Sequence, residues 1–248
     1  MSNYYHARPL DPVREHAHLR DQAVQAAIVE LLPLPPAHIN KLLIDTTTRI
    51  ATVRFCIAWT IFAGLGIDSD AESTFLPPEL VQCAQALSSS GNTQTGKAAK
   101  SQGQAYNIDA DDTADGPISF QTWRAITATL GKHTYGQLSD ESDDARSANI
   151  HHAVESLNTI LRPFADLRHN DRARLDNLAE LLRRAARFGF MLFSQPSLWE
   201  FDWGLEREMR QDRLVVFPAL VQIDESGGNA SARSRKLTER EVCGLEGR

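Results

Sequence analysis

Between Arg183 and Asp224 the chain changes period, and that change limits the folds open to it. From Asp171 onward, Leu175, Leu178, Leu182, Ala185 and Phe188 recur at gaps of three and four, the spacing of one helical face. After Pro196 the apolar residues come instead in short β-rich bursts, Trp199–Trp203 and Leu214–Ile223, with Pro218 inside the second. Phe190–Phe193 is a further strand candidate. A helical array that ends in a small β element satisfies both periods. The expected fold class is mainly α, a bundle-like set of helices with a small C-terminal β-hairpin. Pro218 places the last strand at an edge or a bulge, because proline cannot donate to a ladder.

Upstream, Asp11 is positioned to cap a helix with Pro12 in its first turn. Val13, Ala17, Val24, Ile28 and Leu31 then share a face as far as Pro33. Pro35 and Pro36 open a longer helix in which Ile39, Leu43, Thr46, Ile50, Val53, Ile57 and Ile61 form one stripe. From Phe55 it is apolar all round, which predicts a central position with Trp59 in the core, and Gly64 and Gly66 close it. The run Phe55–Ile67 is bounded by Arg54 and Asp68, well short of the roughly 20 residues a bilayer span needs. A shorter helix follows from Pro77 and Pro78 to Leu87.

Residues 88–117 read as an acidic and polar linker, too poor in apolar groups to offset the entropy of ordering. Beyond it come a short helix, Phe120–Leu130, capped by Ser119 and closed by Gly131, and another from about Asn149 to Leu161. Asn170 or Asp171 caps the last one. The resulting division is 1–87, an N-terminal helical part; 88–117, the linker, expected to be disordered; 118–225, a C-terminal helical part with the hairpin; and 226–248, a flexible tail.

Charge and cysteine content exclude several functions. A net charge of −6 opposes a sequence-independent grip on nucleic acid. Cys56, Cys83 and Cys243 are odd in number and lack a CxxC pair, so neither a disulfide framework nor a zinc knuckle is indicated. With no apolar run in the N-terminal segment, the expected location is intracellular, cytoplasmic or nuclear.

Two short motifs invite a functional reading. Gly91–Ala98, GNTQTGKA, matches a phosphate-binding loop except that Ala98 replaces the magnesium-ligating hydroxyl, and no strand precedes it. Asp111–Thr122, DDTADGPISFQT, resembles the calcium loop of EF-hand and dockerin-like proteins. Asp111, Thr113 and Asp115 occupy its first three ligand positions, Gly116 the turn, Ile118 the β-pairing position and Ser119 the ninth, but Thr122 replaces the bidentate glutamate and Thr113 a carboxylate or amide. Neither motif supports assigning a cofactor or a metal.

Histidines at 16, 18, 151 and 152 diverge on their helices, and neither H-E-x-x-H nor G-x-S-x-G occurs. No catalytic, cofactor-binding or metal residues are assigned. Arg162, Arg168, Arg172, Arg174, Arg183, Arg184 and Arg187 alternate with Asp166, Asp171, Asp176 and Glu180, which reads as a salt-bridged solvated face. Trp199, Phe201 and Trp203 alternate and so share a sheet face, either as core packing or as an aromatic wall for a ligand.

The segments FGFMLFSQPSLWEFDW and LVVFPALVQI, with the IATVRFCIAWTIFAGLG and FQTWRAITATLG helices upstream, resemble a group of filamentous-fungal proteins. The resemblance implies no activity and no site residues. The leading functional expectation is a non-catalytic interaction or regulatory domain with a protein partner. The alternatives are a small-molecule binder or enzyme with a pocket between the central helix and the Trp199–Trp203 turn, and a calcium-responsive protein acting through Asp111–Thr122.

Overall fold

A computed structural model describes residues 4–7, 11–90, 120–135, 145–166, 168–224 and 233–245. The helices are α1 (Pro12–Leu19), α2 (Gln22–Leu31), α3 (Pro36–Ile44), α4 (Arg49–Ala63), α5 (Pro78–Ser90), α6 (Phe120–Tyr135), α7 (Ala145–Leu161), α8 (Asp171–Phe193) and the short α9 (Leu205–Met209). The strands are β1 (Leu198–Asp202), β2 (Arg213–Phe217), β3 (Ala219–Asp224), β4 (Arg233–Lys236) and β5 (Glu241–Gly244). Helices followed by small antiparallel sheets at the C-terminal end match the coarse plan set by the change of period. Both Gly91–Ala98 and most of Asp111–Thr122 lie outside the described residues, as do Ser119 and the linker beyond Ser90.

Both long N-terminal helices expected from the apolar spacing are divided in two, and in each case an aspartate makes the break. The Asp21 carboxylate accepts from the backbone N–H of Ala23 at 2.8 Å and starts α2, while Asn40 donates to the carbonyl of Leu19 at 3.3 Å. At the second break the Asp45 carboxylate accepts from the Thr47 backbone N–H at 2.8 Å and from its hydroxyl at 2.7 Å. These bonds hold the Asp45 carboxyl below its ordinary range. A local carboxylate–amide bond competes with the helical ladder, and periodicity does not register it. Val13, placed by its spacing on the buried face, is 81% exposed.

Three further expectations are corrected. Phe190–Phe193 is the last turn of α8, where Phe190, Leu192 and Phe193 are buried. The α6 helix runs through Gly131 to Tyr135, and α7 begins at Ala145. The β element is more than a hairpin. β1 pairs antiparallel with β3, which pairs with β4, while β2 pairs with β5. The segment expected to be a flexible tail therefore supplies two strands. Arg54 ties β5 to α4 through a two-pronged pair with Glu241, at 2.6 and 2.8 Å.

The main core draws on both sides of the linker. Leu19, Ile28, Leu43, Phe55 and Ile57 pack with Leu157, Ile160, Phe164, Leu182 and Leu214. At its centre Glu15 and Arg49 form a buried ion pair at 2.8 Å, joining α1 to α4. A second, smaller cluster gathers Leu76 of the loop before α5 with Leu80, Val81, Ala128, Phe190 and Phe193 from α5, α6 and the end of α8.

Candidate functional site

A cleft of about 470 Å³ lies where the end of α4, the end of α8 and β1 meet. The fold builds it from three sides. From α4 come Trp59, Phe62 and Ala63; from α8, Gly189, Leu192 and Phe193; from β1 and the residue after it, Trp199, Glu200, Phe201 and Trp203. Leu65–Ser69 closes the fourth side. The sheet register fixes β1 in place, with Trp199 opposite Gln222 and Phe201 opposite Leu220. Trp199 and Phe201 are two residues apart, so the pleat turns them to one face.

The aromatic rings form a continuous set. Trp59 and Trp203 have centroids 4.8 Å apart, tilted by 49°, and Phe62 and Phe201 are 4.6 Å apart at 48°. Phe55 meets Trp203 edge-on at 5.8 Å and anchors the set to the core. Trp59 was expected at the centre of that core. It is only partly buried, because the helix around it faces the core through Phe55, Cys56, Ile57 and Ala58 and faces the cleft through Trp59 and Phe62. An all-apolar helix has two apolar neighbours here, one packed and one open.

The loop after α4 is firmly held. The Phe75 backbone N–H donates to the Gly64 carbonyl at 2.7 Å, and a Cβ on Gly64 would stand 2.6 Å from the Phe75 ring. Gln85 donates to the carbonyls of Ile67 and Ser69 at 3.1 and 3.0 Å, and Asn149 to those of Ala71 and Thr74 at 3.0 and 2.9 Å. The Ser69 hydroxyl donates to the Ala63 carbonyl at 2.6 Å. Gly189 lets α8 approach this loop, since a Cβ there would be 2.5 Å from Leu65. These contacts leave the cleft walls few alternative arrangements.

Arg124 of α6 fixes the corner between α8 and β1. Its Nη2 donates to the carbonyls of Gln195 and Ser197 at 2.6 and 2.8 Å, and its guanidinium lies 5.7 Å from the centre of the Phe193 ring. Only 2% of the residue is exposed. The indole N–H of Trp199 is buried and has no acceptor among the described residues. Asp68 and Glu200 are the acidic residues of the lining, and neither has an ion-pair partner among the described residues.

The other groups weighed in the sequence do not converge on a site. His16 donates to the Pro12 carbonyl at 2.7 Å and His18 to that of Thr159 at 2.8 Å, whereas His151 pairs with Glu155 and His152 with Glu30. Among the described residues no group of three or more His, Cys, Asp or Glu could hold a metal ion. Arg183, Arg184 and Arg187 gather round Glu180 at 3.7, 2.8 and 3.2 Å, the salt-bridged face expected of that stretch. Their proximity, led by the Arg184 hydrogen bond, lowers the Glu180 carboxyl pKa. Among the described residues no helix is long and apolar enough to cross a membrane.

Comparison with known proteins finds no match to a family model, a curated protein or a solved structure. The cleft must be interpreted from its own chemistry.

Proposed function

We propose that this chain is a non-catalytic binding domain whose ligand seat is the aromatic cleft between α4, α8 and β1. One observation carries the reading: three of the chain's four tryptophans, Trp59, Trp199 and Trp203, line one cleft together with Phe62, Phe193 and Phe201. Aromatic side chains present large rigid surfaces at low entropic cost, so a concentration of them around an open space favours a planar or bulky apolar ligand. The size of the cleft agrees, because small-molecule sites span roughly 300–1,000 Å³.

The polar lining supports binding over chemistry. Ser69 is tied to the Ala63 carbonyl, Arg124 is tied to the α8–β1 corner, and no histidine, cysteine or lysine is part of the described lining. A nucleophile needs a base within hydrogen-bond reach, and these residues provide no such pair.

Calorimetric titration with 4-tert-butylphenol, a neutral bulky aromatic, tests the proposal. Saturable binding with a negative heat-capacity change is expected, the mark of apolar burial. Ala63 is exposed at the rim, so Ala63→Leu fills the cleft at little cost to the fold and should weaken binding at least tenfold. Equal binding by the folded Ala63→Leu protein would overturn the proposal.

A further inference from the structure

We infer that the ligand of this cleft is a cation, an aromatic or aliphatic ammonium group held against the Trp59, Trp203 and Phe62 rings. The inference rests on the binding role proposed for the cleft and adds the charge of its occupant. Two independent features point the same way.

The first is the ring geometry. Trp59 and Trp203 stand 4.8 Å apart and tilted, and Phe62 meets Trp203 at 6.2 Å and 73°, so their ring surfaces do not lie in one plane. The face of each ring is the negative end of its quadrupole, and tryptophan provides the strongest of these. A compact cation without N–H groups to satisfy is attracted to such a surface, whereas an anion is repelled by it.

The second is the charge of the lining. Asp68 and Glu200 provide two carboxylates with no ion-pair partner among the described residues. Against them stands one guanidinium, that of Arg124, buried and bonded to the Gln195 and Ser197 carbonyls. The balance is negative. A neutral ligand would gain nothing from it, and an anionic ligand would meet both carboxylates and the ring faces.

Three probes with one ring test the assignment: (4-hydroxyphenyl)trimethylammonium, the neutral 4-tert-butylphenol of nearly the same shape, and 4-hydroxybenzenesulfonate. Titrations of the whole chain near pH 6.5, read by calorimetry, should rank the cation at least tenfold tighter than the neutral probe, with the anion weakest. In an Asp68→Asn, Glu200→Gln double variant, with its fold checked by circular dichroism, the ratio of cation to neutral affinity should fall toward one. Equal or tighter binding of the neutral probe by the wild type would overturn the cation assignment and leave the binding role standing. Binding of none of the three would remove both. A cation preference that survives the double substitution would overturn the assignment of the charge to these two carboxylates.

Discussion

Replacing Arg49 with methionine tests whether the buried Glu15–Arg49 pair organises the core. Arg49 is fully buried, and its guanidinium makes three contacts that Met cannot. Its Nε donates to the Leu43 carbonyl at 2.8 Å, and its Nη2 to Glu15 at 2.8 Å and to the Ile44 carbonyl at 3.2 Å. It also lies 5.0 Å from the centre of the Phe164 ring. Met retains much of the apolar stem, so the loss falls on the polar contacts. Taking the guanidinium away removes the 2.8 Å pair with the Glu15 carboxylate, 5% exposed, and leaves the last carbonyls of α3 without this donor. Breaking a buried pair in this way costs about 3–5 kcal/mol. For a chain of this size that corresponds to a fall in melting temperature of about 6–20 °C.

A second variant separates charge burial from capping. In Glu15→Leu with Arg49→Met both members of the pair are gone, so the cost of breaking it from one end falls away, while the carbonyls of Leu43 and Ile44 still lose their donor. The double variant should therefore be more stable than Arg49→Met alone, though less stable than the wild type. Urea unfolding followed by circular dichroism measures all three. A loss below about 1 kcal/mol in Arg49→Met would refute the reasoning, because surface pairs behave that way. So would a double variant less stable than Arg49→Met.

Two further outcomes follow from local geometry. Burial pushes the Cys56 thiol up from 9.0 to about 12, so its neutral form is favoured in the folded state. The stability this provides is whole below pH 9.0 and is lost as pH rises from there toward 12. Cys56→Ala should flatten the fall in unfolding free energy across that window, and in the wild type a thiol reagent should label exposed Cys83 well before Cys56. Equal labelling rates would contradict this. Gly204 sits at φ +52°, and a Cβ there would lie 2.5 Å from the Arg240 guanidinium that bridges Asp202 and Glu208. Gly204→Ala should cost at least about 1–2 kcal/mol from backbone strain alone, read from the denaturation midpoint. A stabilised variant would show that the turn relaxes without cost.

Much of the site could be read in the sequence, and the rest lay in contacts that periodicity does not encode. The alternation of Trp199, Phe201 and Trp203 put these rings on one sheet face and left core packing and a ligand wall both open, and the cleft lies between them and the central helix. Trp59 was misplaced because a helix apolar on every face does not reveal which side is packed and which is open. Gly189 carried a usable signal, since a glycine inside a strong helical pattern marks a close approach, here by Leu65. Arg124 carried none: an arginine within FQTWRAIT looks like an exposed charge, and the carbonyls of Gln195 and Ser197 that it meets lie more than 70 positions away. The breaks at Asp21 and Asp45 were visible as aspartates but were outvoted by the stripe. The strands β4 and β5 escaped notice because RSRK and EVCG are short and polar, as edge strands tend to be.

The four tryptophan indole N–H signals in a ¹H–¹⁵N spectrum report, residue by residue, on whether this protein binds its ligand in the aromatic cleft. Trp59, Trp199 and Trp203 line the cleft, whereas Trp123 packs against Phe193 from the side of the second cluster, at 6.2 Å and 87°. With each signal assigned through a Trp→Phe variant, titration with (4-hydroxyphenyl)trimethylammonium should shift the Trp59, Trp199 and Trp203 resonances along one saturation curve and leave Trp123 nearly in place. Shifts confined to Trp123, or no saturable shift in any of the four with this probe or with 4-tert-butylphenol, would contradict the account.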